Sequence, residues 1–238
     1  MTKEQILWEI SKNHAPYPLA LDRMERISRD IRADNAAERV WLLEHPPLFT
    51  SGTSAKPEDL FNPHGYPTYH AGRGGQWTYH GPGQRTAYVM LDLARAHAQV
   101  PPRDLRAYVQ ALERWVITAL AHFGLAGEVR DGRVGVWVTD PATGREEKIA
   151  AIGVRVSRWV SWHGVAINLS PDMADFNGIV PCGIRDYGVT SFRKLGLATT
   201  MAELDAALMT SWETVFGSKP SALTEVDLAA RPLTAEPG

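Results

Sequence analysis

β-Strand patterns fill the middle of the chain, and helical periodicity is confined to three segments. Helices are predicted where apolar side chains recur every three or four positions, over residues 18–33 and 102–123 and from about residue 200. Strands are predicted where β-rich or alternating runs occur, over 38–44, 76–80, 85–91, 134–138, 148–156 and 160–169. Because strands and helices do not alternate regularly, the pattern favours an α+β fold over a doubly wound parallel sheet.

The domain organisation predicted from the sequence is simple. No internal repeat and no long linker divides residues 1–217, so we predict one domain there and a poorly ordered tail over residues 218–238. The net charge of −2 gives no basic stripe for a nucleic acid. The sequence has no apolar run of about 18 residues, so no membrane partner is expected. The N-terminus lacks the apolar core of a secretion signal, which predicts a cytoplasmic protein.

The single cysteine excludes two classes of structure. Cys182 cannot form an intramolecular disulfide, and a cysteine-based structural zinc site would need several thiolates. A core thiol, a surface thiol and a nucleophile stay open. Its position between Pro181 and Gly183 predicts a loop, where a substrate can reach a thiol. His163 could be the base for this thiol, or it could only shape a pocket.

Two other segments carry polar groups that core packing does not explain. Five of the twelve residues over 73–84 are Gly or Pro, and such a backbone can turn sharply and let a ligand approach. A plain hairpin with a surface arginine is the alternative. In the strand over 148–156, alternation places Lys148 on the same face as Ala150 and Ile152. An ammonium there needs a partner or must extend to solvent at the strand end.

Five motifs carry a resemblance to a known family. The strings RGGQWTYHGPGQ, KIAAIGVRV, SWHG and PCG begin at residues 73, 148, 161 and 181, and HPP begins at residue 45. In this order, over roughly residues 40–195, the chain resembles the lipoyl(octanoyl) transferases. It departs from that family at Val180, where Asn often precedes the Pro-Cys pair. The resemblance implies the fold of biotin and lipoate protein ligases, a single α+β domain whose mixed β-sheet is flanked by helices.

The resemblance also implies a reaction. Octanoyl-acyl carrier protein would donate an octanoyl group, first to Cys182 and then to a lysine of an acceptor. The acceptors would be lipoyl domains of 2-oxoacid dehydrogenases and the glycine cleavage H protein. Lys148 would be the second catalytic residue, with no cofactor and no metal. Substrate contacts would come from Arg73, Gly74, Gly75, Gln76, Trp77, Thr78, Tyr79, His80, Ala151, Ile152, Gly153, His163, Gly164, Val165 and Ala166. Small residues at 150, 151, 153, 164 and 166 would leave a groove for the acyl chain.

Three other functions stay open at this level. The first is an ATP-dependent lipoate or biotin ligase, which is disfavoured because Gln76 follows Gly75 and Gly81 follows His80. Ligases typically have a third glycine and an acidic residue at these places. The second is a non-catalytic sensor that binds an acyl carrier protein or a lipoyl domain. The third is a cysteine hydrolase that uses His163 and releases octanoate to water.

Overall fold

The computed structural model describes residues 5–180 and 187–228, so the Pro-Cys-Gly motif at 181–183 lies outside the described residues. Its helices are α1 (Tyr17–Arg32), α2 (Leu105–Ala121) and α3 (Met201–Phe216). Its strands are β1 (Gln5–Ser11), β2 (Arg39–Leu43), β3 (Leu48–Ser51), β4 (Thr68–His70), β5 (Thr78–His80), β6 (Gln84–Met90), β7 (Glu128–Arg130), β8 (Arg133–Thr139), β9 (Glu146–Ser157), β10 (Val160–Asn168), β11 (Gly188–Val189) and β12 (Lys219–Val226). Short 3-10 helices cover Pro57–Asp59 and Met173–Gly178.

The strands of the described chain form one large mixed sheet and one small sheet. The large sheet has the order β12-β1-β2-β6-β10-β9-β8-β7, and β11 pairs with β9. β1 is parallel to both β2 and β12, whereas the neighbours from β2 to β7 are antiparallel. The small sheet has the order β4-β3-β5. This arrangement confirms the predicted α+β fold with a mixed sheet flanked by helices.

Helices cover the two faces of the large sheet. On one face α2 and α3 bury three tryptophans, Trp8, Trp115 and Trp212, whose rings meet edge to face at centroid distances of 5.0 to 6.1 Å. On the other face α1 packs Met24 against a second apolar cluster that includes Trp41. Among the described helices, none combines the length and the apolar character needed to span a membrane.

Helix boundaries follow capping side chains. α3 begins after Thr200, which forms a capping box with Glu203. α2 begins three residues later than predicted because the Asp104 carboxylate accepts the N–H of Ala107 and so fixes the helix start. Leu105 then lies in the first turn and is 45% exposed.

The predicted tail is partly wrong. Residues 219–226 form β12, which pairs in parallel with β1. The sequence of β12 shows no clear alternation because most of its side chains are exposed or half-buried, and backbone pairing holds it on the sheet. Residues 229–238 lie outside the described residues.

Candidate active site

A cavity of about 260 Å³ lies over strands β6, β10 and β9. Its floor consists of small residues that face each other across two strands, because Ala151 pairs with Ala166 and Gly153 pairs with Gly164. No side chain larger than a methyl group rises from these four positions, so the sheet leaves a groove open. Its volume lies just below the usual range for ligand sites, which begins at about 300 Å³.

A β-bulge in β9 decides where Lys148 points. Two consecutive residues of β8 pair with Ala150 and Lys148, so Ile149 is the extra residue. Ile149 and Ala150 are both fully buried in the core beneath α2 and α3, and the alternation of side chains therefore reverses at this step. Lys148 thus faces the cavity together with Ala151. The predictions that Lys148 shares a face with Ala150 and Ile152, and that Ala150 borders the groove, are wrong.

The lysine end of the cavity, formed by Lys148, Arg133 and Trp137, is cationic and enclosed. Lys148 is only 6% exposed, and its Nζ donates a hydrogen bond to the Val134 carbonyl at 2.9 Å. The same Nζ lies 4.8 Å from the Trp137 ring centroid, and the Arg133 guanidinium stacks over that ring at 4.7 Å. Because the ammonium is buried against these groups, Lys148 does not extend to solvent at the strand end.

The Gly-rich segment brings a buried arginine into the cavity wall. Arg73 donates to Thr50 Oγ1 at 2.9 Å, and that hydroxyl lies 3.3 Å from His80 Nε2. His80 Nδ1 lies 2.7 Å from Gln84 Oε1. The Gln84 amide nitrogen donates to two other oxygens, so its oxygen faces the ring. His80 therefore carries its proton on Nδ1, and Nε2 accepts a hydrogen bond from Thr50.

The opposite end of the cavity, which we call the histidine end, is lined by His80 and His163 with Tyr17 and Tyr88. His45 packs next to it and hydrogen-bonds to the Tyr88 hydroxyl. Burial lowers the pKa of His45 to about 4 and that of His163 to about 3. Burial likewise holds the pKa of His80 well below its ordinary value, and burial raises the pKa of Tyr17 to about 12. The three imidazoles are therefore neutral at physiological pH and are weak bases.

Hydrogen bonds fix the orientation of two of these rings. His45 Nδ1 donates to the Ala15 carbonyl, so its Nε2 accepts the hydroxyl proton of Tyr88. His163 Nε2 lies 3.1 Å from the Tyr17 hydroxyl, and its buried Nδ1 has no hydrogen-bond partner among the described residues. The ring of His163 thus presents an unsatisfied polar atom beside the cavity.

Most of the residues predicted from the sequence meet in this one cavity. Two do not line it: Gly74 donates its N–H to the Val154 carbonyl, and Tyr79 turns into the core of the small sheet, where its hydroxyl donates to Asp175. Cys182 lies outside the described residues. The predicted residues that line the cavity are Arg73, Gly75, Gln76, Trp77, Thr78, His80, Lys148, Ala151, Ile152, Gly153, His163, Gly164, Val165 and Ala166.

Other residues that line the cavity were not predicted from the sequence. Thr50 and Ser54 lie outside the predicted helices and strands, and Tyr17 begins a helix far from any motif. Alternation along β6 was the one available signal, since it places Thr86 and Tyr88 on the face opposite Val89. The unpredicted lining residues are Tyr17, Thr50, Ser54, Thr86, Tyr88, Gly132, Arg133 and Val134.

The cavity combines an apolar floor with three cationic side chains in its lining, Arg73, Arg133 and Lys148. Within residues 5–180 and 187–228, no three His, Cys, Asp or Glu side chains are arranged to hold a metal ion. The first described residue after the Cys182 segment, Tyr187, packs its ring 5.6 Å from that of Trp137. Tyr187 therefore lies beside the lysine end.

Residues 16–213 match the family model of the lipoyl protein ligase A/B catalytic domain. The octanoyltransferase of Gluconacetobacter diazotrophicus is 60% identical over 221 residues, which cover 93% of this chain and 95% of that protein. The octanoyltransferase of Acidiphilium cryptum is 56% identical over 219 residues, with 92% and 96% coverage.

Two solved structures share the fold. A lipoate-protein ligase A bound with ATP aligns with a TM-score of 0.68 at 15% identity and covers 95% of this chain and 90% of its own. A putative lipoate protein ligase from Thermoplasma acidophilum with bound lipoic acid has a TM-score of 0.68 at 13% identity, with 94% and 89% coverage. At these identities the similarity extends to the fold alone.

Proposed function

The chain belongs to the octanoyltransferases of the lipoyl protein ligase A/B catalytic domain family, and we propose a reaction for it through a thioester on Cys182. It is thus an acyltransferase of lipoate biosynthesis. The donor proposed is octanoyl-acyl carrier protein. The acceptors proposed are lysines of lipoyl domains, as in 2-oxoacid dehydrogenases and the glycine cleavage H protein. The observation that supports this mechanism best is the enclosed ammonium of Lys148 at one end of a groove floored by small residues. Cytoplasmic localisation stays a prediction from the sequence.

The first half-reaction forms the acyl-enzyme. A free thiol is only a few per cent ionised at neutral pH, and a nearby cation favours the thiolate. In the proposal, the cycle begins with the Cys182 thiolate paired with the Lys148 ammonium, and the thiolate attacks the carbonyl carbon of the donor thioester. A new carbon–sulfur bond forms to Cys182 as the bond to the carrier thiol breaks. The departing sulfur takes a proton from the Lys148 ammonium.

The second half-reaction makes the amide. The neutral amine of the acceptor lysine attacks the acyl-Cys182 thioester and forms a carbon–nitrogen bond. The sulfur of Cys182 leaves as a thiolate, and Lys148 accepts the proton that the amine loses. This step restores the thiolate and ammonium with which the cycle began, so protons balance over the two steps. An arginine could supply the charge but not this proton transfer.

The groove accounts for an acyl substrate. Burying the seven carbons beyond the carbonyl at about 0.8 kcal/mol each would contribute about 5–6 kcal/mol of binding free energy. The residues predicted as contacts on β9 and β10, from Ala151 to Gly153 and from His163 to Ala166, would lie along this chain. Arg73 and the loop at Gly75 to Thr78 would form the facing wall.

The histidine end argues against a hydrolase that uses His163 as its base. An imidazole whose pKa is lowered to about 3 by burial is a poor base near neutral pH. Its Nε2 also lies against the Tyr17 hydroxyl at 3.1 Å. We therefore assign His163 to the wall of the acyl site.

Intact mass spectrometry tests the proposal. The protein is mixed with octanoyl-acyl carrier protein and then with a lipoyl domain, without ATP. We expect an octanoyl adduct that is absent from Cys182→Ala and is discharged to the lipoyl domain. A requirement for ATP with free octanoate would indicate a ligase, and release of octanoate to water would indicate a hydrolase. Binding of either protein without any adduct or product would indicate a sensor.

A further inference from the structure

One peptide unit, between Val134 and Gly135, connects a buried carboxyl group to the ammonium of Lys148. The carbonyl of Val134 accepts the hydrogen bond from Lys148 Nζ at 2.9 Å. The N–H at the other end of the same amide, on Gly135, donates to Glu113 Oε1 at 3.1 Å. Because the amide is planar, a hydrogen bond that fixes its N–H also fixes the direction of its carbonyl.

Glu113 occupies a position in α2 where the helix is otherwise apolar. It is only 7% exposed, and its neighbours Leu112 and Trp115 are fully buried. Burial raises the pKa of the Glu113 carboxyl, while the Gly135 N–H and the charges of Lys148 and Arg114 act in the opposite direction. A polar group in this place carries a desolvation cost, which the hydrogen bond to Gly135 offsets.

Gly135 leaves this peptide little freedom to move. Its φ of +125° lies in the region that favours glycine. A Cβ added there would lie 2.7 Å from the Ala150 carbonyl oxygen and 3.2 Å from Lys148 Cε. The peptide thus packs directly between the bulge of β9 and the Lys148 side chain, so a change in its tilt would displace the lysine.

We propose that Glu113 is a positioning residue for acyl transfer. Its carboxyl oxygen holds the Val134–Gly135 peptide so that the Val134 carbonyl keeps Lys148 Nζ at the lysine end of the cavity. The proposal rests on the proposed function, since it has a kinetic consequence only where Lys148 handles the proton. Glu113 acts as a hydrogen-bond acceptor and does not touch the substrate.

The test compares two substitutions of similar size. Glu113→Gln keeps an acceptor oxygen for the Gly135 N–H, and Glu113→Leu removes it. The measurement is the single-turnover rate of octanoyl-enzyme formation at saturating octanoyl-acyl carrier protein, together with KM for that donor. We expect Glu113→Leu to lower the rate about 10- to 100-fold with little change in KM. Glu113→Gln should restore the rate to within about 3-fold of the parent enzyme.

Both substitutions are repeated in a Lys148→Ala background. If Glu113 acts through Lys148, Glu113→Leu causes no further loss there. The same loss in both backgrounds overturns the proposal, as does a slow Glu113→Gln or a normal rate for Glu113→Leu. If Lys148→Ala itself leaves acylation unchanged, the role given to Lys148 in the proposed function fails instead, and Glu113 loses its function with it.

Asp205→Asn is the matched control for loss of a buried carboxylate. Asp205 lies on α3 and pairs with Arg85 at 2.7 Å, away from the cavity lining. We expect this control to lower Tm without the fall in acylation rate. If Glu113→Leu does not fold, Gly135→Ala displaces the same peptide from the other side and should give a similar 10- to 100-fold loss. Normal acylation by folded Gly135→Ala overturns the proposal.

Discussion

The two ends of the cavity differ in the surroundings that they give to their ionisable side chains. At the lysine end, Lys148 is an amine held by a peptide carbonyl and placed on the cavity face by a strand bulge. At the histidine end, His45 and His163 have lost most of their basicity through burial. The difference shows that proximity of an imidazole to a cavity does not make it a base. In the proposed function, His163 belongs to the wall and Lys148 moves the proton.

The largest expected effect lies at the lysine end. Lys148→Ala removes the ammonium and should lower the single-turnover rate of acylation by about 10²- to 10⁴-fold, the usual range for a general acid–base group. Lys148→Arg keeps a cation but cannot accept a proton, so it should recover acyl-enzyme formation better than transfer to the acceptor amine. Equal recovery of both steps by Lys148→Arg would contradict the proton-transfer role.

The second effect tests the neutrality of the histidine end through stability. Burial lowers the pKa of His45 to about 4, whereas the unfolded chain binds a proton there near the ordinary value of 6.5. The stability contributed by neutral His45 is therefore complete above about pH 6.5 and is lost as pH falls toward 4. His45→Gln should reduce the fall in unfolding free energy by about 1 kcal/mol per pH unit in that window.

Urea denaturation between about pH 7 and pH 5 measures this slope. His122→Gln is the matched control, because His122 is exposed on the surface. It should follow the parent curve. A His45→Gln curve parallel to the parent would show that folding does not lower the pKa of His45, and the contrast between the two ends would disappear.

A smaller effect concerns chain length. Ala151→Leu extends a side chain into the groove and should reduce kcat/KM for octanoyl donor by about 10-fold relative to a butanoyl donor. Ala94→Leu, the same change at an exposed site, is the control. If Ala151→Leu leaves the preference for octanoyl over butanoyl donor unchanged, the acyl chain does not bind along this floor. Gly164 is unsuited to this test, because a Cβ there would strike the Ala87 carbonyl oxygen on β6.

The smallest effect is expected at His163. Asparagine tolerates the φ of +61° found there, so His163→Asn should fold. As part of the wall, His163 should influence KM for the donor by about 3- to 10-fold and leave kcat nearly unchanged. A fall in kcat comparable with that of Lys148→Ala would make His163 a proton carrier and would abolish the distinction between the two ends.

The sequence predicted those helices and strands that are determined by local residue patterns. Thr200 and Glu203 mark the start of α3, and the buried side chains of this helix recur at helical spacing. The orientation of Lys148 was mispredicted because the bulge at Ile149 depends on how β8 pairs with β9, and alternation within one strand does not contain that register. Tyr17 joins the cavity only through the packing of α1 on the sheet. The strands β3, β4 and β12 were missed for the same reason, since each is stabilised by distant partners.

The family resemblance predicted site residues that the periodicity of the sequence does not indicate. It identified Lys148 and the strand residues of the groove, although neither their spacing nor the 34 residues between Lys148 and Cys182 indicates a shared site. It did not supply Glu113, because this residue acts from α2 through a peptide of β8. A charged residue inside a helical apolar stripe was the only signal in the sequence.

The parallel pair of β1 and β12 has a consequence for biosynthesis. Gln5 pairs with Lys219, a separation of 219 − 5 = 214 residues, so the ribosome makes nearly the whole domain before β1 meets this neighbour. Until then the outer edge of β1 offers unpaired backbone groups to any other nascent chain. A late, long-range closure of this kind is slow compared with local contacts. During synthesis, chaperones are therefore expected to bind chiefly at the unpaired edge of β1, away from the cavity.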